Sequence, residues 1–151
     1  MLAEVEELIY EKEKKKMPSL NHSYICTKII SQLDKNSEII CLPELTLRIG
    51  KGITPDVSVF EATKIKPNFR LDISKYPEMP ILAIEVISAS QSIQDLLIKA
   101  DMLIENGVKA VWTIEPFTNT VFVTTKLGEQ KLQNQKVESE GITVDFKQIF
   151  G

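Results

Sequence analysis

Two cysteines and one histidine are all the thiol and imidazole groups among these 151 residues. Neither cysteine forms a CxxC pair, which argues against a zinc site. Cys26 and Cys41, in a chain of cytosolic character, are expected as reduced thiols without a disulfide. Cys26 follows the apolar stripe of an expected helix and reads as a small core residue. No apolar run approaches the ~20 residues that span a bilayer, so no membrane partner is expected. Nor is positive charge in excess: 18 Lys and Arg face 21 Asp and Glu, for a net charge of −3. That argues against a large constitutive nucleic-acid surface built from many Lys/Arg–phosphate contacts, while leaving room for a local basic rim. There is no internal repeat, and KEKKK at residues 12–16 is the only biased tract. The N-terminal MLAEVEELIYEKEKKK carries too much charge for a signal peptide, so the expected location is cytoplasmic.

What is present suits one globular domain over residues 1–151. A chain of this length buries roughly 70% of its unfolded surface, enough for a core. The 43% hydrophobic and 26% charged content is ordinary for that class.

Residues 4–11, EVEELIYE, fit either a strand or a short helix, and KEKKKMPS reads as a charged turn punctuated by Pro18. Residues 19–33 have near-helical apolar spacing, with Ser19 or Asn21 as the cap. Residues 38–49 read as extended and interrupted at Pro43, with LTLRI alternating as a half-buried strand does. GKGITP turns the chain into DVSVF, where Asp56, Ser58 and Phe60 share one face and Val57 and Val59 the other. Residues 61–80 read as a polar loop. Residues 81–87 are almost wholly apolar, as a strand covered on both faces would be. A helix over 91–105 follows, with Ser92 and Asp95 resembling a capping box and Asn106-Gly107 ending it. Residues 110–114 make the next strand, 120–125 its hairpin partner, and Gly128 and Gly141 punctuate further short strands. The β–α–β unit over 81–114 implies two parallel strands. With the hairpins around it, the fold class is α/β (α+β) with a mixed sheet flanked by helices.

Two carboxylates stand out. Glu85 lies inside the most apolar strand, where an unpaired charge costs several kcal/mol. Asp56 follows Pro55 at a strand start, where a local turn-capping role is the plainer alternative. If the two strands are neighbours, the carboxylates converge, and a divalent cation would relieve their repulsion. Oxygen ligands of this kind favour Mg²⁺ or Mn²⁺. Lys99 lies on the following helix, and its side chain leans back toward the strand end that carries Glu85. It would neutralise Glu85 or orient a water; equally, it could pair with Asp95 one turn away.

TPDVSV, IEVIS, the Asp95–Lys99 pair and GVKAVWTIEP together resemble the Uma-type restriction-endonuclease family of the PD-(D/E)XK nuclease superfamily. MPSLNHS and the closing ITVDFKQIF are similar to the family's lead-in and end. The resemblance spans about residues 7–150. It implies a restriction-endonuclease-like fold and a metal-dependent endonuclease, a hydrolase of phosphodiester bonds that acts on nucleic acid, DNA above all. Asp56 and Glu85 would then be catalytic metal ligands, with the Val86 carbonyl as a further donor and Lys99 as the site lysine. The superfamily usually keeps that lysine two residues after the acid, where this chain has Ile87. Asp95 would orient ligands or serve structure. An acid from the N-terminal region is also implied, and Glu7 and Glu11 both qualify. Nucleases that cut both strands usually dimerise, so a homodimer is expected.

His22 matches the family's HS pair and could approach the site; a locally hydrogen-bonded residue at a helix start is the reading favoured here. Trp112 reads as core. Lys64, Lys66, Arg70 and Lys75 are interleaved with acids and read as a solvated loop, and KEKKK as a solvated turn with DNA contact as its alternative. Two other classes of function stay open: an inactive nucleic-acid- or protein-binding module on the nuclease fold, and an oligomeric structural protein joined through exposed hairpin edges.

Overall fold

The computed structural model describes residues 2–151. Residues 4–11, open to two readings from sequence, lie in helix α1, Leu2–Glu13. Val5 and Ile9, one turn apart, face the core, and Ile9 is buried. Helix α2, Leu20–Leu33, starts where Ser19 Oγ accepts from the His22 amide at 3.3 Å. Ile25, Ile29 and Leu33 form its buried stripe.

Strands β1 (Ile39–Pro43), β2 (Val57–Glu61) and β3 (Leu82–Val86) pair antiparallel in turn. Helix α3, Ile93–Glu105, then carries the chain to β4, Ala110–Glu115, which runs parallel to β3. Ser92 caps α3, with its Oγ accepting from the Asp95 amide at 3.1 Å. Strands β5 (Thr120–Thr125) and β6 (Gly128–Gln133) extend the sheet antiparallel. The result is one six-stranded sheet in the order β1-β2-β3-β4-β5-β6, mixed as expected. A separate hairpin of β7 (Lys136–Ser139) and β8 (Ile142–Asp145) precedes a last turn of helix, α4, Lys147–Phe150.

Alternation divides the core between the sheet's two faces. Val57, Val59, Ile84, Val86, Trp112 and Ile114 pack with α2 and the β7–β8 hairpin. Phe60, Ala83 and Val111 pack with α1 and α3. Trp112 is fully buried, and its Nε1 donates to Ser139 Oγ at 2.8 Å, tying the hairpin to the sheet.

LTLRI is not a strand. Leu47 makes only isolated bridges to Ile53 and Tyr76. The turn at 50–52 follows at once and leaves no length for a ladder, so the apolar alternation records burial of Leu47 and Ile49 in a folded-back loop. The expected 61–80 loop begins one residue later, after β2 ends at Glu61, and carries one 3₁₀ turn at Ala62–Lys64.

Candidate active site

The β2–β3 register pairs Val57 with Ile84, and continuing it by one residue sets Asp56 opposite Glu85. The pair is locked through the backbone. Val86 N–H donates to Asp56 Oδ2 at 2.7 Å, and Asp56 N–H donates to Glu85 Oε1 at 3.3 Å. Both side chains are buried, Asp56 at 4% exposure and Glu85 at 1%. Like charges directly across a ladder destabilise it unless cations intervene.

Two lysines supply them. Lys99, itself 3% exposed, comes from α3, and its Nζ contacts Glu85 Oε2 and Glu13 Oε1 and donates to the Thr54 carbonyl at 3.3 Å. Lys16 reaches in from the stretch after α1 and contacts Asp56 Oδ1. Glu13, the last residue of α1, also accepts from Thr54 N–H at 3.0 Å, so one carboxylate joins α1, α3 and the approach to β2.

Burial alone would raise the Asp56 carboxyl, but His22 and Lys16 beside it outweigh that and hold it well below the usual carboxylate range. Glu85 goes the other way. Burial pushes it up to about 8, Lys99 offsets part of that rise, and the nearby Asp56 and Glu13 add to it. Burial would also lower Lys99, yet the facing Glu85 and Glu13 hold it above its ordinary value. Lys99 is thus held as a cation, and Glu85 is the carboxyl in the cluster whose charge burial opposes most.

Asp56, Glu85 and Lys99 therefore meet in one cluster. Val86 joins through its N–H. Asp95 does not meet Lys99; it sits at the surface and pairs with Lys12 at 2.7 Å. Glu7 pairs with Lys51 at 3.0 Å and Glu11 with Lys14 at 3.5 Å, both at exposed positions. The acid that α1 brings to the cluster is Glu13. Sequence reasoning missed Glu13 and Lys16 by treating KEKKK as a solvated turn, although both lie beside MPS, where the chain bends inward. His22 is more than a local cap residue. Its ring is buried, with Nε2 3.0 Å from Asp56 Oδ2. Cys26 and Cys41 are free thiols. Burial pushes them up to about 12 and about 11, with Asp56 adding to the first and Asp34 to the second.

A hard divalent cation fits the donors present. With Oδ2 and Oε1 engaged by backbone amides, Asp56 Oδ1 and Glu85 Oε2 are left for a cation, and in this structure both contact lysine ammonium groups. A metal there would have to displace Lys16, at the rim, from Asp56 Oδ1 and draw Glu85 Oε2 away from Lys99.

Among curated proteins, none matches the chain. Of solved structures, one similar chain is described as a "putative nuclease belonging to DUF820" from Anabaena variabilis ATCC 29413. It is 23% identical, with 89% of this chain and 83% of that chain covered and a TM-score of 0.76. At that identity the likeness shows the fold, a restriction-endonuclease-like α+β sheet with flanking helices. A second, from a DrdV–DNA complex, is 11% identical over 69% of this chain and 9% of that one, with a TM-score of 0.44. The family model named Uma2, described as "Putative restriction endonuclease", matches residues 7–151. With nearly its whole length matched, the chain belongs to the Uma2 family.

Proposed function

We propose that the protein is a metal-dependent DNA endonuclease that hydrolyses phosphodiester bonds at the Asp56–Glu85–Lys99 cluster. The observation that carries this is the position of Lys99. The superfamily's usual lysine position holds Ile87, yet an ammonium group from α3 reaches Glu85 and supplies the missing cation.

Asp56, Glu85 and the Val86 carbonyl would hold Mg²⁺ or Mn²⁺. When bound, the ion supplies Lewis-acid stabilisation of phosphoryl oxygens and lowers the pKa of a water. The protein's own groups do the positioning. The Val86 amide fixes Asp56 Oδ2 and leaves Oδ1 toward the rim. Glu13 and the Thr54 carbonyl aim the Lys99 ammonium. From there Lys99 orients the attacking water and offsets charge gathering on the phosphate, a preorganised electrostatic role. Water attacks phosphorus and the bond to one strand oxygen breaks, leaving a phosphomonoester and a hydroxyl. Two copies acting on two strands make the homodimer part of the same proposal.

The test is cleavage of supercoiled plasmid with Mg²⁺ or Mn²⁺. Asp56→Asn and Lys99→Met are expected to lose at least ~100-fold, within the range typical of lost general-acid–base or electrostatic groups, with circular dichroism confirming the fold. Cleavage indifferent to both substitutions would sink the assignment. One observation favours the second reading, an inactive binding module: both carboxylate oxygens left free by the backbone amides already carry a lysine contact, so the cluster is charge-compensated without metal. That reading expects salt-dependent nucleic-acid binding and no cleavage.

A further inference from the structure

We propose that His22, Cys26 and Asp56 form a second cation site, one that takes a borderline-soft divalent ion of the zinc class rather than Mg²⁺. The site itself does not depend on the nuclease reading; only its consequence for activity does.

His22 and Cys26 are four residues apart on α2, so both side chains project from one face. Asp56 meets that face from the start of β2. One ligand atom from each residue, an imidazole nitrogen, a thiol sulfur and a carboxylate oxygen, lies within 4.8 Å of the others. In a tetrahedral zinc site nitrogen and sulfur ligands are about 3.5 Å apart, as bond lengths of ~2.0 and ~2.3 Å require. Closing the set therefore needs side-chain movement of roughly 1 Å, within the reach of rotamer adjustment.

The nitrogen ligand of the group is His22 Nε2. It belongs to a side chain 6% exposed and already faces Asp56, 3.0 Å from Oδ2, so a nitrogen and an oxygen ligand stand side by side in the group. The group also has an entry path. A cavity of about 240 Å³ is lined by His22, Cys26 and Asp56 together with Pro18, Pro43 and Glu44. Glu44 is exposed there and adds negative charge at the mouth. Three protein ligands leave a fourth position for water, which the cavity accommodates.

Ligand type sets the ion. Thiolate and imidazole select zinc-class ions, while Mg²⁺ keeps to oxygen. The absence of CxxC does not bear on this arrangement, because its third ligand comes from 30 residues further along the chain. Asp56 is common to this set and to the proposed Mg²⁺ site. A zinc-class ion held by His22 and Cys26 therefore withdraws Asp56 from it and acts as an inhibitor.

The test is a Co²⁺ titration of the whole, reduced chain, read by absorbance. The expected result is one equivalent bound with a near-ultraviolet thiolate-to-cobalt charge-transfer band that Zn²⁺ abolishes by displacement. Cys26→Ser should remove the band and weaken Zn²⁺ binding by more than ~100-fold, beyond the about 10–100-fold cost of losing an outer hydrogen-bond partner. Cys26→Ala repeats the test should the serine variant melt early, and Cys41→Ser should change nothing. No band in the wild type, a band that survives loss of Cys26, or one that depends on Cys41 would each overturn the proposal. Mn²⁺ affinity of Cys26→Ser reports separately on the Asp56–Glu85 site, so failure of one proposal is not mistaken for failure of the other.

Discussion

At Glu85 a proton costs less than a charge. Its folded value is about 8 against an ordinary 4.5. Between those values the folded chain holds a proton that the unfolded chain has released, so stability should fall as pH rises through the window. Asp56 has the opposite sign: its contribution is present above the ordinary 3.8 and is lost as pH falls toward its depressed value. Urea melts of wild type and Glu85→Gln across about pH 4.5 to 8 check this. The variant should flatten the slope, and an unchanged slope would locate the proton elsewhere. Lys16 gives a second residue-scale expectation. Because it contacts the oxygen of Asp56 that a metal would need, Lys16→Ala should tighten Mn²⁺ binding by about fivefold or more, since even exposed ion pairs are worth up to ~1 kcal/mol. Weaker binding in that variant would mean that Lys16 supports the metal site instead of occupying it.

Among the elements, α1 decides how the cluster is closed. Glu13 fastens its C-terminal end to Lys99 and to the Thr54 amide. Glu13→Gln should cost about 1–3 kcal/mol, the range for disturbing a buried polar group, and should speed hydrogen exchange in α1 before the rest of the chain. Lys99→Met should cost more, about 3–5 kcal/mol, because it leaves buried carboxylates uncompensated. Asp95→Asn should cost less than ~1 kcal/mol, since its partner Lys12 is at the surface. Denaturant melts rank the three, and an Asp95 effect as large as that of Lys99 would contradict the pairing described.

The same elements show what the sequence made legible. DVSVF and ILAIEV announced themselves by alternation and by an apolar run, so the meeting of Asp56 and Glu85 followed from strand adjacency. The α3 periodicity carried Lys99 to them. Glu13, Lys16 and the His22 ring were hidden because their partners lie about 34 to 86 residues away and are set by the packing of α1 and α2, which no local period records. LTLRI misled for the converse reason: alternation reports burial of every second residue, and a bridged loop achieves that without a ladder.

Taken whole, the sheet has two edges, β1 and β6. Strand β6 exposes Glu129, Gln130 and Lys131, the charged dressing that discourages edge pairing. The proposed homodimer is therefore expected to use another surface, and sedimentation of a β6 variant, Lys131→Thr, should leave the oligomeric state unchanged. A β6-mediated dimer would instead strengthen or weaken in that variant. The molecule's net charge of −3 sets a further condition: any DNA contact must be local and steeply weakened by salt.

The central claim, that Asp56 and Glu85 together hold a hard divalent cation, is tested most directly by calorimetric titration of Mn²⁺ and Mg²⁺ into wild type and Asp56→Asn. The account expects saturable binding in the wild type, weak enough to be strengthened by added phosphate, and its loss in the variant while the fold persists. Binding that survives Asp56→Asn, or no binding at any concentration with phosphate present, would contradict it and leave the two carboxylates as a lysine-compensated structural pair.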